Sequence, residues 1–352
     1  MTRLGRLRGA ADASPAAGLG WARGAAAVLA ALAGLALLGG CAADGPRGSA
    51  SPAGPIRLAA TASPASPASA DSTSSAAACN PYASLAPEAG GPSVTAGSWA
   101  ATIRAHGFLV AGVDQTTYHF GYLNPLDGQV EGFDTDMVKE VAAAIFGLRP
   151  DSPALAAHIH LKAITNAERI TDVENGTVDI VADTMTVNCA RMQEVDFSSI
   201  YYDAKQRVLV DAPAAGQTAP DLTQLGAAHQ KVCAATGSDS VAHIQAAGAT
   251  AVQATYWSDC LVLLEEGQVA GVSTDDSILY GMQAQDPGTV VTGPALEDEP
   301  YGLAISKAHP DFVSFVNAVL AADRANGDWA KSYRTWVSAT APLPTWPIDY
   351  SG

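Results

Sequence analysis

Residues 231–284 read KVCAATGSDSVAHIQAAGATAVQATYWSDCLVLLEEGQVAGVSTDDSILYGMQA. Short apolar runs alternate here with segments of helical spacing. Residues 231–234, 250–254 and 269–273 read as strands, and 240–246, 259–266 and 277–284 as helices. Three strand–helix units in succession imply an α/β layer built on a mostly parallel sheet. Such folds take their ligands at the carboxyl ends of the strands.

The alternation extends in both directions. Upstream, 108–113 (FLVAGV) reads as a buried strand, and 135–146 (TDMVKEVAAAIF) carries apolar residues at helical spacing. Strands are expected at 158–164, 178–182 and 206–211, with a short helix at 170–174. Downstream, 302–306 closes the set of strands, and 310–325 and 328–335 read as amphipathic helices.

The amino-terminal part has a different character. The run 25–41, AAAVLAALAGLALLGGC, is apolar and ends in Cys41, and four arginines (Arg3, Arg6, Arg8 and Arg23) precede or open it. The run is shorter than the ~20 apolar residues a bilayer span takes, so it fits the core of a secretion signal; a short transmembrane anchor is the competing assignment. Residues 42–78 are rich in Ala, Ser and Pro without an aromatic residue, and read as a disordered tether. Of the 352 residues, removing 1–40 leaves 15 basic and 34 acidic side chains, a net charge of −19. Such a surface repels nucleic acid and anionic lipid.

Of the five cysteines, Cys79, Cys189, Cys233 and Cys260 form an even set beyond Cys41, and in an oxidising compartment disulfides are expected. Spacing alone leaves three pairings open. No C-x-x-C pair favours a structural zinc site. No nucleophile elbow, H-E-x-x-H or P-loop is present. His158 and His160 could share one strand face as a metal pair or be two half-exposed strand residues.

Six short segments then occur in one order: Gly132-Phe-Asp-Thr-Asp136, Thr165-Asn-Ala-Glu-Arg169, Asp183-Thr-Met-Thr186 with Arg191, Asp196-Phe-Ser198 before Tyr201-Tyr202, Thr236-Gly-Ser238, and Thr274-Asp-Asp276. Over roughly 99–338 the chain resembles the polar-amino-acid solute-binding proteins of ABC importers. The likeness is greatest to the glutamate/aspartate-binding branch, including actinobacterial lipoproteins; Leu38-Gly-Gly-Cys41 likewise resembles a lipobox whose cysteine is lipidated. The resemblance implies a type II periplasmic-binding-protein fold: two α/β lobes, each a mostly parallel sheet with flanking helices, and a ligand cleft between them. On this chain it implies a signal peptide at 1–40, a tether at 41–78, lobe 1 at 94–209 plus 304–352, and lobe 2 at 210–303. The crossings would fall near 208–211 and 299–302. Because an inter-lobe bridge would resist hinge closure, this division implies the pairs Cys79–Cys189 and Cys233–Cys260.

The resemblance also assigns a ligand site. Arg191 matches the arginine that takes the α-carboxylate, with its planar fork suited to two parallel hydrogen bonds; a surface pair with Glu194 is the competing assignment. Thr184 and Thr186 would add donors, and Gly237 and Ser238 would offer backbone N–H groups from the other lobe. Asp275 would receive the ammonium group. Arg169, assisted by Asn166, falls where dicarboxylate binders hold a second arginine, unless it is a solvated helix residue paired with Glu168 or Asp172. Asp114 stands where some of these relatives carry a basic residue; it would pair with Arg169 or contact an amide or ammonium. Tyr118 and Phe120 would wall the ligand or cap the core, and Trp257 would reach the cleft.

These assignments imply a monomeric binding protein, tethered through lipidated Cys41 to the outer face of the cell membrane. It would capture glutamate or aspartate, with glutamine or asparagine as alternatives, and deliver it to an ABC permease and its ATPase. No metal, cofactor or nucleic acid is expected. An amino-acid sensor for a membrane signalling protein is the alternative. An enzyme on the same fold would be expected to lose the ammonium site that Asp275 supplies.

Overall fold

A computed structural model of the chain describes residues 79–338, 340 and 342–351. The assignments made for 1–40, for Cys41 and for the tether fall outside the described residues. Among the described residues no helix is long and apolar enough to cross a membrane.

The first lobe is built on a five-stranded sheet in the order Ile159–Ala163, Leu109–Val113, Ile180–Ala182, Ala304–Ile305, Asp196–Phe197. The first three strands run parallel and Ala304–Ile305 is antiparallel to both its neighbours. Leu109–Val113 is apolar on both faces because helices cover both. The helix Phe133–Phe146 buries Met137, Val138, Val141 and Ile145 against this sheet. It starts at Gly132, whose φ is 139°; a Cβ there would lie 2.1 Å from the Phe120 carbonyl oxygen, so only glycine fits. Residues 79–93, not assigned to a lobe from the sequence, also pack on lobe 1: Asn317 donates to Ser84 Oγ and to the Leu85 carbonyl.

The second lobe repeats the plan with the order Thr250–Ala254, Lys231–Ala235, Gly271–Asp275, Tyr202–Asp211, Thr289–Thr292. Again three parallel strands are followed by one, Tyr202–Asp211, that is antiparallel to both its neighbours. Its core centres on Val232, Ile244, Trp257, Leu264 and Val272.

The first crossing between lobes lies earlier than expected. Tyr202–Asp211 is one strand of ten residues. Its first part, from Tyr202 to Lys205, pairs with Asp298–Tyr301, and from Gln206 onward it belongs to the lobe 2 sheet. Residues 206–209, assigned to lobe 1 from the sequence, are therefore part of lobe 2. A continuous strand shows no break in its apolar pattern where it leaves one core for the other. The return crossing is Asp298–Tyr301.

Both disulfides stay within a lobe, Cys79–Cys189 in the first and Cys233–Cys260 in the second. His158 closes a 3-10 turn, stacks on Phe146 and contacts the Gly107 carbonyl through Nδ1. His160 stacks on Phe108 instead. The two rings are thus separate packing residues rather than a metal pair. A three-stranded hairpin, Thr116–Thr117, Gly121–Leu123 and Val130–Glu131, had no clear signature because its strands are two or three residues long.

Candidate functional site

The two lobes close on a narrow cavity with only about 10 Å³ of free space. Lobe 1 lines it with Asn166, Arg169, Thr184, Thr186 and Arg191, and lobe 2 with Ser238, Asp239, Ser240, Trp257, Thr274, Asp275 and Ile278. Each group stands at a strand end or helix start, where the chain turns and side chains converge.

Arg191 opens the short helix Arg191–Glu194, its backbone N–H donating to Asn188 Oδ1. Its Nη1 donates to the Thr186 carbonyl at 2.7 Å and lies 3.3 Å from Asp239 Oδ2 across the cavity. Asp239, rather than Glu194, is its ion-pair partner. Arg169 is buried. Its Nε donates to the Asn166 carbonyl, Nη1 to the Asp183 carbonyl at 2.9 Å, and Nη2 to the Gly237 carbonyl of lobe 2 at 3.5 Å. The partners a solvated Arg169 would have used are otherwise engaged: Asp172 pairs with Lys162, and Glu168 accepts from Thr165. Gly237 has φ 85°, and a Cβ there would lie 2.7 Å from Ala167 Cα of the facing lobe.

Thr184 holds the left-handed conformation, φ 39°, uncommon for a branched residue. Its N–H donates to Asp134 Oδ2 at 2.7 Å, and Asp134 Oδ1 accepts from Tyr201. The motif Gly132-Phe-Asp-Thr-Asp136 therefore acts through Asp134, which holds the cavity loop from beneath. In lobe 2, Asp275 Oδ2 accepts from Tyr301, whose hydroxyl also meets Ser277. Ser240 Oγ lies between Gln206 Oε1 and Thr274 Oγ1.

Three lining residues keep buried polar atoms without a hydrogen-bond partner: Thr184 Oγ1, Trp257 Nε1 and Asp275 Oδ1. An unmet buried polar group costs ~1–3 kcal/mol, which a polar ligand can offset by bonding to it. Burial pushes the Asp275 carboxyl up, and Asp239 adds to the shift. Burial likewise raises Asp134, to about 6. Burial lowers Arg191, against the pull of Asp239.

Of the residues the sequence singled out, eight line this cavity: Arg169, Arg191, Thr184, Thr186, Asn166, Ser238, Trp257 and Asp275. Gly237 adjoins it through Arg169. Asp114, Tyr118 and Phe120 are not brought to its lining. Asp114 turns its carboxylate onto its own loop, accepting from the N–H groups of Gln115 and Thr116 and the hydroxyls of Thr116 and Thr117. Phe120 is buried edge-on against Phe133, Tyr202 and Tyr301 in the lobe 1 core. Tyr118 packs in the hairpin, tilted against His119 and edge-on to Tyr122. Sequence reasoning missed Asp239, Ser240, Thr274 and Ile278. Asp239 and Ser240 directly follow the Thr236-Gly-Ser238 turn, and Thr274 belongs to a quoted motif, so adjacency was the available signal.

The cavity thus offers two guanidinium groups, two carboxylates and several hydroxyls between two lobes of the same plan. Residues 109–339 match the bacterial extracellular solute-binding proteins, family 3. This chain belongs to that family. Among its relatives in family 3, the chain is 33% identical over 239 residues to the ABC transporter glutamine-binding protein GlnH of Bacillus subtilis, covering 67% of this chain and 84% of that protein. It is 28% identical over 251 residues to the L-glutamate/L-aspartate-binding protein of Pseudomonas aeruginosa, covering 69% and 80%. An ancestral arginine-binding protein bound to glutamine superposes with a TM-score of 0.58 at 27% identity, over 66% of this chain and 98% of that one. The fold is the two-lobed type II periplasmic binding protein, and family 3 membership places the chain among extracytoplasmic amino-acid-binding proteins of ABC importers.

Proposed function

We propose that this family 3 protein captures a polar amino acid with an acidic side chain, glutamate or aspartate, and hands it to an ABC permease and its ATPase. The observation that carries the reading is one cavity lined by two buried arginines and by Asp275. Arg191 takes the α-carboxylate together with Thr186 and Ser238. Asp275, through its unpartnered Oδ1, takes the ammonium group. Arg169, with Asn166, takes the side chain. A charge-assisted bond is about twice as strong as a neutral one in such a dry site, and lobe closure around the ligand presents the permease with a distinct shape. The names of the relatives support the transporter role over a signalling one. On the same reading the protein is monomeric and is held at the outer face of the membrane by lipid on Cys41.

A second reading, glutamine or asparagine, is favoured by one observation: Asp183 Oδ2 lies 4.0 Å from Arg169 Nε, where the carboxylate offsets its charge when ionised. Isothermal titration calorimetry with the twenty amino acids tests both. Binding of glutamate or aspartate, abolished in Arg191→Ala and selectively weakened in Arg169→Ala, is the expected result. Binding confined to the amides moves the ligand to the second reading, and no binding of any amino acid overturns the proposal.

A further inference from the structure

Asp183 does not line the cavity, yet it stands directly behind the guanidinium assigned to the ligand side chain. It is completely buried, and neither carboxylate oxygen has a hydrogen-bond partner among the described residues. A buried carboxylate without hydrogen bonds is costly, and natural folds seldom keep one without a use. Its close cationic contact is Arg169, at 4.0 Å. The guanidinium itself is held by other groups: the backbone carbonyls of Asn166, Asp183 and Gly237. The carboxylate is therefore not needed to place Arg169. What it contributes is charge.

We infer that Asp183 is a specificity-determining residue which, acting through Arg169, sets whether the cavity prefers a side-chain carboxylate or a side-chain amide. This deepens the proposed function and rests on it. With Asp183 ionised, the ligand meets an arginine whose charge is already balanced, and a neutral amide fits at least as well as a carboxylate. With Asp183 neutral, the Arg169 charge is open to the ligand and the dicarboxylic acid gains. The other charged and titratable groups acting on Asp183 are Asp114, Asp134, Arg191 and Tyr201. Burial first, then Asp114 and Asp134, push the Asp183 carboxyl well above its ordinary range. The preference consequently shifts with pH: glutamate is favoured at low pH and glutamine gains as pH rises.

The test is the ratio of glutamate to glutamine affinity, measured by calorimetry on the full chain from mildly acidic to mildly alkaline pH. Both ligands share the α-carboxylate and ammonium groups, so titration of Asp275 cancels in the ratio. The wild-type ratio is expected to fall as pH rises. Asp183→Asn is expected to shrink that fall and to raise the ratio about tenfold over wild type at the alkaline end, the effect of roughly one unit of pKa coupling; Asp134, pushed up to about 6 and facing Arg169, supplies the fall that remains. Asp183→Ala, which also removes the charge, should do the same and covers the case in which the asparagine variant does not fold. A purely structural role would weaken both ligands equally and leave the ratio unmoved, which overturns the inference. A ratio in Asp183→Asn equal to wild type at every pH overturns it too. Failure of the wild type to bind either ligand would instead overturn the proposed function.

Discussion

The two lobes share a sheet plan but bring opposite charge to the cavity between them. Lobe 1 supplies both cations, Arg169 and Arg191, and lobe 2 supplies both lining carboxylates, Asp239 and Asp275. A free amino acid is itself dipolar. On the proposed reading its carboxylate would meet the lobe 1 wall and its ammonium group the lobe 2 wall. The single direct ion pair across the lining, Arg191–Asp239, shows the attraction that the ligand can replace or reinforce. Beneath the surface the lobes differ as well. Lobe 1 keeps Asp114, Asp134 and Asp183 buried behind its arginines, whereas the lobe 2 carboxylates are backed by Gln206 and Ser273 and by the buried Glu299 of the return crossing.

The strongest way to break this division is Arg191→Ala. Removing one partner of a buried, hydrogen-bonded charge pair costs ~2–5 kcal/mol, so every amino-acid ligand should bind at least about thirtyfold more weakly by calorimetry. A comparable loss in Glu194→Ala would contradict the assignment of Asp239 as the partner. Next comes Cys233→Ser with Cys260→Ser. The bridge closes a loop with a sequence separation of 27, and losing it should cost about 3 kcal/mol in chemical denaturation. That cost should fall on lobe 2, with hydrogen exchange in lobe 1 helices unchanged.

A smaller effect is expected from Gly237→Ala. The new Cβ would meet the Ala167 backbone of the facing lobe at 2.7 Å, and φ 85° adds strain. Ligand affinity should fall about tenfold or more while thermal stability without ligand drops by only ~1 kcal/mol. Equal losses in both would mean that the glycine serves its own turn rather than the meeting of lobes.

The smallest effect lies away from the cleft, in lobe 1. Glu140 is pushed up to about 8, first by burial and then by Asp323, Asp328 and Asp136. Its ordinary value is 4.5, so the folded state holds the proton more tightly than the unfolded chain. The stability this gives is fully present at acid pH and is lost as pH rises from about 4.5 through about 8. Glu140→Gln should flatten that decline and raise the melting temperature at alkaline pH by roughly 2–4 °C. An unchanged slope would remove Glu140 from the account.

Much of this molecule can be read along the chain. The strand–helix alternation and the six ordered motifs are local patterns, because burial on a sheet or a helix face imposes a period on neighbouring residues. Arg169, Arg191 and Asp275 stand out because the motifs that hold them resemble those of the family. Other features depend on residues distant in sequence. Nothing near Asp114 shows that its own loop absorbs its carboxylate. Nothing near Phe120 tells a core ring from a ligand wall. The pairing of Arg191 with Asp239 joins two lobes, and the place where Tyr202–Asp211 passes from one core to the other is set by the strands beside it. Asp183 is the clearest case: in sequence it is one acid before a threonine, and only the packing of lobe 1 puts its carboxyl, without a hydrogen bond among the described residues, behind the guanidinium of Arg169.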